Sequence, residues 1–111
     1  MTRPDCLLRV MLWDGTVLAE GDAVPPGVDG FIVSPCNPNY EQLSFDENRT
    51  RIFQFPQPAG SMPVLTTGEG HGEVAFYVPV SAEEAERLAR MFGQAAYFAL
   101  PAGGVVRVVC L

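Results

Sequence analysis

Cys36, His71 and Glu73 are the side chains in this sequence best suited to covalent or proton-transfer chemistry. A cysteine nucleophile needs a base to take its proton and a third group to hold that base. Cys36, His71 and either Asn37 or Glu73 form the one set of that kind available. The spacing does little to single the set out, because 35 residues separate the thiol from the imidazole. The same residues read equally well as a cysteine packed at a strand end and a histidine in a loop. Glu69 and Glu73 flank His71, which suits paired carboxylates or a loose cation-binding turn. The intervening glycines deny that turn the rigid support a preorganised site needs, so no metal is expected. Nor is "GEGHGE" a phosphate loop, since a strand and not a helix N-terminus follows it. No cofactor is implied. The three cysteines, Cys6, Cys36 and Cys110, make no CxxC pair and argue against a disulfide framework.

The elements that must position these groups can be read along the chain. "CLLRVML" (6–12) and "TVLA" (16–19) flank Trp13-Asp14-Gly15, a strong hairpin signal because Asp and Gly accept positive φ. Phe31 to Val33 is a short apolar strand stopped by Pro35 and turned by Asn37-Pro38, with Asn37 expected to form an Asx-turn to the backbone two residues on. Ser44 and Glu47 make a capping box. The helix it opens should end before Pro56, with Phe45, Ile52 and Phe53 as its apolar contacts and Asn48, Arg49 and Arg51 turned elsewhere. Asn48 is a mediocre helix former in that position, and a hydrogen bond to the Asn37 corner would explain it. Val74 to Val80 has strand composition. Ser81 and Glu84 form a second capping box, Ala85, Leu88, Ala89 and Phe92 make one apolar helical stripe, and Gly93 suits the helix C-cap. Glu83 with Arg87 and Glu86 with Arg90 are i,i+4 pairs. "AAYFAL" and "VVRVVCL" make a closing hairpin in which Arg107 faces solvent or an edge. The expected fold is α+β, one domain over residues 1–111, with a mainly antiparallel sheet of five to six strands and two helices on one face.

Taken in order, Asn37-Pro38, Ser44 with Glu47-Asn48, Glu73 ahead of "VAFYVPV", and Phe92-Gly93-Gln94-Ala95-Ala96 resemble a family of small bacterial proteins defined only as a domain of unknown function. The resemblance spans roughly residues 30 to 100. It departs at Ala95, where the pattern has Asn, and in a helix cut short by Pro56. It implies the same fold class and nominates Asn37, Asn48, Glu73 and Gln94 as site residues. It names no reaction.

Composition limits the partners. A chain of 111 residues with seven arginines, no lysine and thirteen acids carries a net charge of -6. Phosphate-gripping proteins draw their affinity from basic excess, so direct nucleic-acid binding is disfavoured unless Arg49, Arg51, Arg87 and Arg90 gather into a stripe. No apolar run is long enough for a membrane span and no export signal opens the chain, which implies a soluble, cytoplasmic protein. The first functional expectation is an acidic interaction module without catalytic activity. It would bind a protein through Asn48, Arg51 and the Glu83, Glu84 and Glu86 face, in one version as a phage or mobile-element inhibitor of a host nucleic-acid-processing complex. The alternative is a small hydrolase or transferase working through Cys36, His71 and Glu73 or through the polar set around Asn37. Nothing in the sequence indicates an oligomeric state.

Overall fold

The computed structural model describes residues 9–68 and 71–111, with Tyr40, Gly68 and His71 described by backbone alone. Cys6, Glu69 and the first part of the expected 6–12 strand lie outside the described residues. The elements run β1 (Arg9–Met11), β2 (Val17–Ala19), β3 (Gly30–Val33), α1 (Phe45–Gln54), β4 (Met62–Gly68), β5 (His71–Val78), α2 (Ala82–Met91), β6 (Ala96–Leu100) and β7 (Arg107–Cys110). The fold is α+β, as the sequence pattern implies. The sheet has seven strands in the order β2-β1-β4-β5-β3-β6-β7, every pairing antiparallel, not the five to six expected. The sequence pattern leaves room for one optional strand between α1 and the strand at 74–80, and β4 fills it. Pro63 hides its start in a segment that reads as loop, and β5 begins three residues before the expected strand, where Gly72 pairs with β4.

The sheet curls until its edges meet. Gly21 donates to the Val106 carbonyl, Val106 to Asp22 and Val24 to Gly104, and a bridge joins Ala23 to Val105. Strand alternation then divides the core. Val10, Leu18, Ile32, Val64, Ala75, Tyr77, Phe98 and Leu100 point into the curl, with Val24, Val28 and Val106 closing its seam. The next residues along, Val33, Phe76, Val78 and Tyr97, point outward against Ala85, Leu88, Ala89 and Phe92 from α2, and against Ile52 and Phe55 from α1. The outer face is thus covered by α2, and α1, which has no fully buried residue, reaches it through Ile52 and through Phe55 just past its end.

The termini of α2 are set by local chemistry. Ser81 Oγ accepts from the Glu84 amide at 3.2 Å, but the Glu84 carboxylate turns to Arg87, so the expected box is half formed. That also replaces the expected Glu83–Arg87 pair, while Glu86–Arg90 forms at 3.2 Å. Past the C-terminus, Gly93 (φ 68°) donates to the Arg90 carbonyl and Gln94 to Ala89, a Schellman closure that needs glycine's left-handed freedom.

Candidate functional site

Four separate segments meet at the end of the curl where β3 stops and β5 starts. Pro35 ends β3, and the next turn takes Asn37 to φ 48°, ψ 66° and Asn39 to φ 53°. Left-handed backbone is costly for most L-residues and least so for asparagine, which accounts for the residue type at both positions. The corner is no Asx-turn. Asn37 Oδ1 accepts instead from the Leu43 amide at 2.9 Å, six residues on, while the Asn39 amide bonds the Gly93 carbonyl at 2.9 Å. The side chain thus closes a wider loop that also holds a short 3-10 turn at Pro38–Tyr40.

The remaining polar residues converge on that corner. The Asn37 amide nitrogen donates to Asn48 Oδ1 at 3.0 Å, and Asn48 Nδ2 returns a bond to Asn37 Oδ1 at 2.8 Å. Asn37 Nδ2 donates to Glu73 Oε2 at 2.8 Å. Gln94 Nε2 donates to the Cys36 carbonyl at 2.8 Å, tying the start of β6 to the same turn. Arg51 Nε donates to the Pro35 carbonyl at 2.6 Å, and its Nη2 bonds the Phe92 carbonyl while the guanidinium lies 5.6 Å from the Phe92 ring centre. A cation at the C-terminus of α2 also sits favourably in that helix's dipole. Asn37, Asn48, Glu73, Gln94 and Arg51, which sequence reasoning singled out, therefore lie in one connected network.

The network determines what its ionisable members can do. Burial pushes the Glu73 carboxyl above its ordinary range, and hydrogen bonds from Asn37 and Ser34 offset only part of that. Cys36 is 2% exposed, and burial, with the Glu73 carboxylate beside it, pushes its thiol up. An activated thiol needs the opposite shift. The sequence-based nucleophile is thus a packed residue, its amide bonded to Ser34 Oγ at 3.0 Å, with Ser34 Oγ also bonding the Val74 carbonyl at 2.9 Å. His71 starts β5 two residues before Glu73, and its imidazole lies outside the described atoms. Among the described residues no group of three His, Cys, Asp or Glu side chains is placed to hold a metal ion.

The other nominated residues lie apart. Glu84 pairs with Arg87 and Glu86 with Arg90, which leaves Glu83 as the unpaired acid of that face among the described residues. Arg49 stacks on its own Phe53 ring at 5.8 Å while Arg51 is bound to carbonyls, so no four-arginine stripe forms. Sequence reasoning misplaced the two aromatics of α1. Phe45 and Phe53, expected in the core, are 80% and 77% exposed, and Phe55 just beyond the helix takes the buried place, stacked on Phe76 at 4.7 Å. The spacing carried the signal: Asn48, Arg51, Ile52 and Phe55 fall on one helical face, and Phe45, Arg49 and Phe53 on another.

An α+β domain with a curled antiparallel sheet and a hydrogen-bonded corner at one end is the class these observations define. Compared with family models, curated proteins and solved structures, the chain matches none. Among the described residues no helix is long and apolar enough to cross a membrane.

Proposed function

We propose that the chain is a non-catalytic protein-binding module whose contact surface is the outer flank of α1 and the uncovered strands beside it. The observation that carries this reading is the outward display of Phe45 and Phe53 on a helix whose other side is fixed by hydrogen bonds. Large exposed apolar patches mark interaction sites more often than single exposed residues do. The corner supports the same reading by exclusion, because its amide groups are engaged with backbone and with one another. Binding through α2 alone is less well supported, since two of its three acids are already paired.

The test is differential capture from host extract on immobilised protein. Proteins retained by the wild type should be lost by the Phe45→Ala/Phe53→Ala double variant and kept by Glu83→Gln/Glu84→Gln/Glu86→Gln. Equal retention by wild type and the phenylalanine variant removes this surface from the reading. A second reading, a small hydrolase or transferase, has one observation in its favour: the raised Glu73 carboxyl, a property of acid-base catalysts. Turnover of an ester, amide or phosphoester panel by the wild type and its loss in Glu73→Gln would establish it.

A further inference from the structure

The outer layer of the domain is incomplete. Helices cover β5, β3 and β6, whereas the outward row Val17, Met11 and Leu65, continuing to Val74, runs bare across β2, β1 and β4. Val17 is 53% exposed, Met11 39% and Leu65 42%, and none of the row is charged. A groove of about 240 Å³ opens there, lined in part by Met11, Pro63, Leu65 and Val74. Small-molecule sites are usually about 300–1,000 Å³, so this groove suits one inserted side chain better than a ligand.

The flank of α1 supplies such side chains. Residues advance about 100° each round a helix, which puts Arg49 and Phe53 about 160° and Phe45 about 120° from Arg51. Arg51 reaches towards the end of β3 and the end of α2. Phe55, just past the helix, stacks on Phe76 of β5, and Ile52 joins the cluster that includes Val74. With β3 and β4 on opposite sides of β5, the flank turned away from Arg51 is the one on the β4 side of α1.

We propose that this face is the interface of a two-fold dimer of the chain, with α1 of each copy laid along the uncovered strands of the other, Phe53 set into the other's groove and Phe45 packed on the apolar row beside it. The proposal rests on the reading of this face as the contact surface and names its occupant. Protruding and receiving parts lie side by side on one face, and such self-complementarity is what a closed two-fold interface requires. Phe45, Phe53, Val17, Met11 and Leu65 together expose on the order of 500 Å² of apolar surface, close to the apolar share of a standard interface of about 800 Å² per partner. Antiparallel α1 helices bring the acidic first turn of each, Asp46 and Glu47, towards Arg49 of the other and oppose their dipoles.

Sedimentation equilibrium of the full chain, from micromolar to near-millimolar concentration, reads this out. The wild type should move from 12.0 kDa to twice that mass. Phe53→Asp and Leu65→Lys, both at exposed positions, should each weaken association at least about tenfold while circular dichroism and the urea midpoint stay unchanged. Mixing these two variants restores one intact helix-to-groove contact per dimer, so the mixture should associate more tightly than either alone. A wild type that stays at 12.0 kDa at the highest concentration, or a dimer that both variants leave unchanged, overturns the dimer. If such a monomer still captures another protein through Phe45 and Phe53, only the choice of occupant has failed. If capture is also indifferent to those residues, the contact surface itself has failed.

Discussion

Asn37 does three things at once, and the backbone part can be separated from the two side-chain parts. It holds left-handed backbone, accepts from Leu43 and Asn48, and donates to Glu73. Asn37→Gly keeps the backbone freedom and loses the side-chain bonds, whereas Asn37→Ala loses both. An orphaned buried partner costs about 1–3 kcal/mol, and those of Asn37 are half-buried, so both variants should be destabilised in urea unfolding towards the lower end of that range. Alanine should be worse by about 1 kcal/mol, the penalty for a Cβ in left-handed backbone. Equal stability of the two would contradict the backbone part. Glu73 gives a pH signature. Its folded value is raised, so the folded chain holds a proton that the unfolded chain has released. Its contribution to stability is full below the ordinary glutamate value, about 4.3, and is lost as pH rises through the raised folded value. Glu73→Gln should therefore gain stability relative to wild type as pH rises through that window, and a difference that is flat or shrinks would refute it. Cys36 should resist thiol reagents in a Cys6→Ser/Cys110→Ser background until the chain unfolds, because it is buried and its thiolate is disfavoured. The identities of these residues were legible in the sequence. Their roles were less so, because hydrogen-bond partners 36 residues apart in the chain, such as Asn37 and Glu73, leave no local pattern.

At the scale of elements, the boundaries of the helices followed from short-range chemistry and the orientation of α1 did not. Ser44 and Glu47 do satisfy each other's backbone donors, at 3.1 and 3.2 Å, and the helix does stop short of Pro56. Yet the rule that apolar residues face inward misplaced Phe45 and Phe53. The helix is held instead by Asn48 and Arg51, whose hydrogen bonds to the β3 corner and to the end of α2 fix its inward face. Arg51 therefore connects three elements. Its replacement by methionine keeps the stem and leaves the Pro35 and Phe92 carbonyls without their cationic donor, at a cost of about 2–3 kcal/mol. Lysine, with one compact charge in place of a fork, should recover only part of that. Ser44→Ala, which removes a cap at an exposed helix end, should cost about 1 kcal/mol. A methionine variant no less stable than the alanine one would show that the arginine is dispensable. The strands show the same division: hairpin signals at Asp14-Gly15 and around Gly103 were visible, whereas β4, with a proline second in the strand, was legible only as an optional strand.

At the scale of the whole molecule, the closure of the sheet is the feature furthest from the sequence. Residues 21–24 read as loop because Gly21 and Asp22 interrupt them, and Val105 and Val106 read as the start of the closing strand, whereas 21–24 and 104–106 take their partners from each other, from opposite ends of the chain. Their position gives the closure its weight. Leu18, Val24, Val28 and Val106 line the seam on the inner side and are all buried, and opening it would wet them together. Burying each such side chain is worth about 1.5–3 kcal/mol, so opening the seam alone would cost about 6–12 kcal/mol. The total stability of an ordinary domain is about 5–15 kcal/mol. Local opening of the seam thus costs as much as unfolding the domain, and the two should not be separable. Native-state hydrogen exchange tests this directly. The amides of Gly21, Val24 and Val106 should exchange with the same free energy and the same denaturant dependence as those of Ile32 and Phe76 in the central strands. If they exchange several kcal/mol more easily and without denaturant dependence, the seam is a latch that opens by itself, and the inner core is held by the seven strands alone.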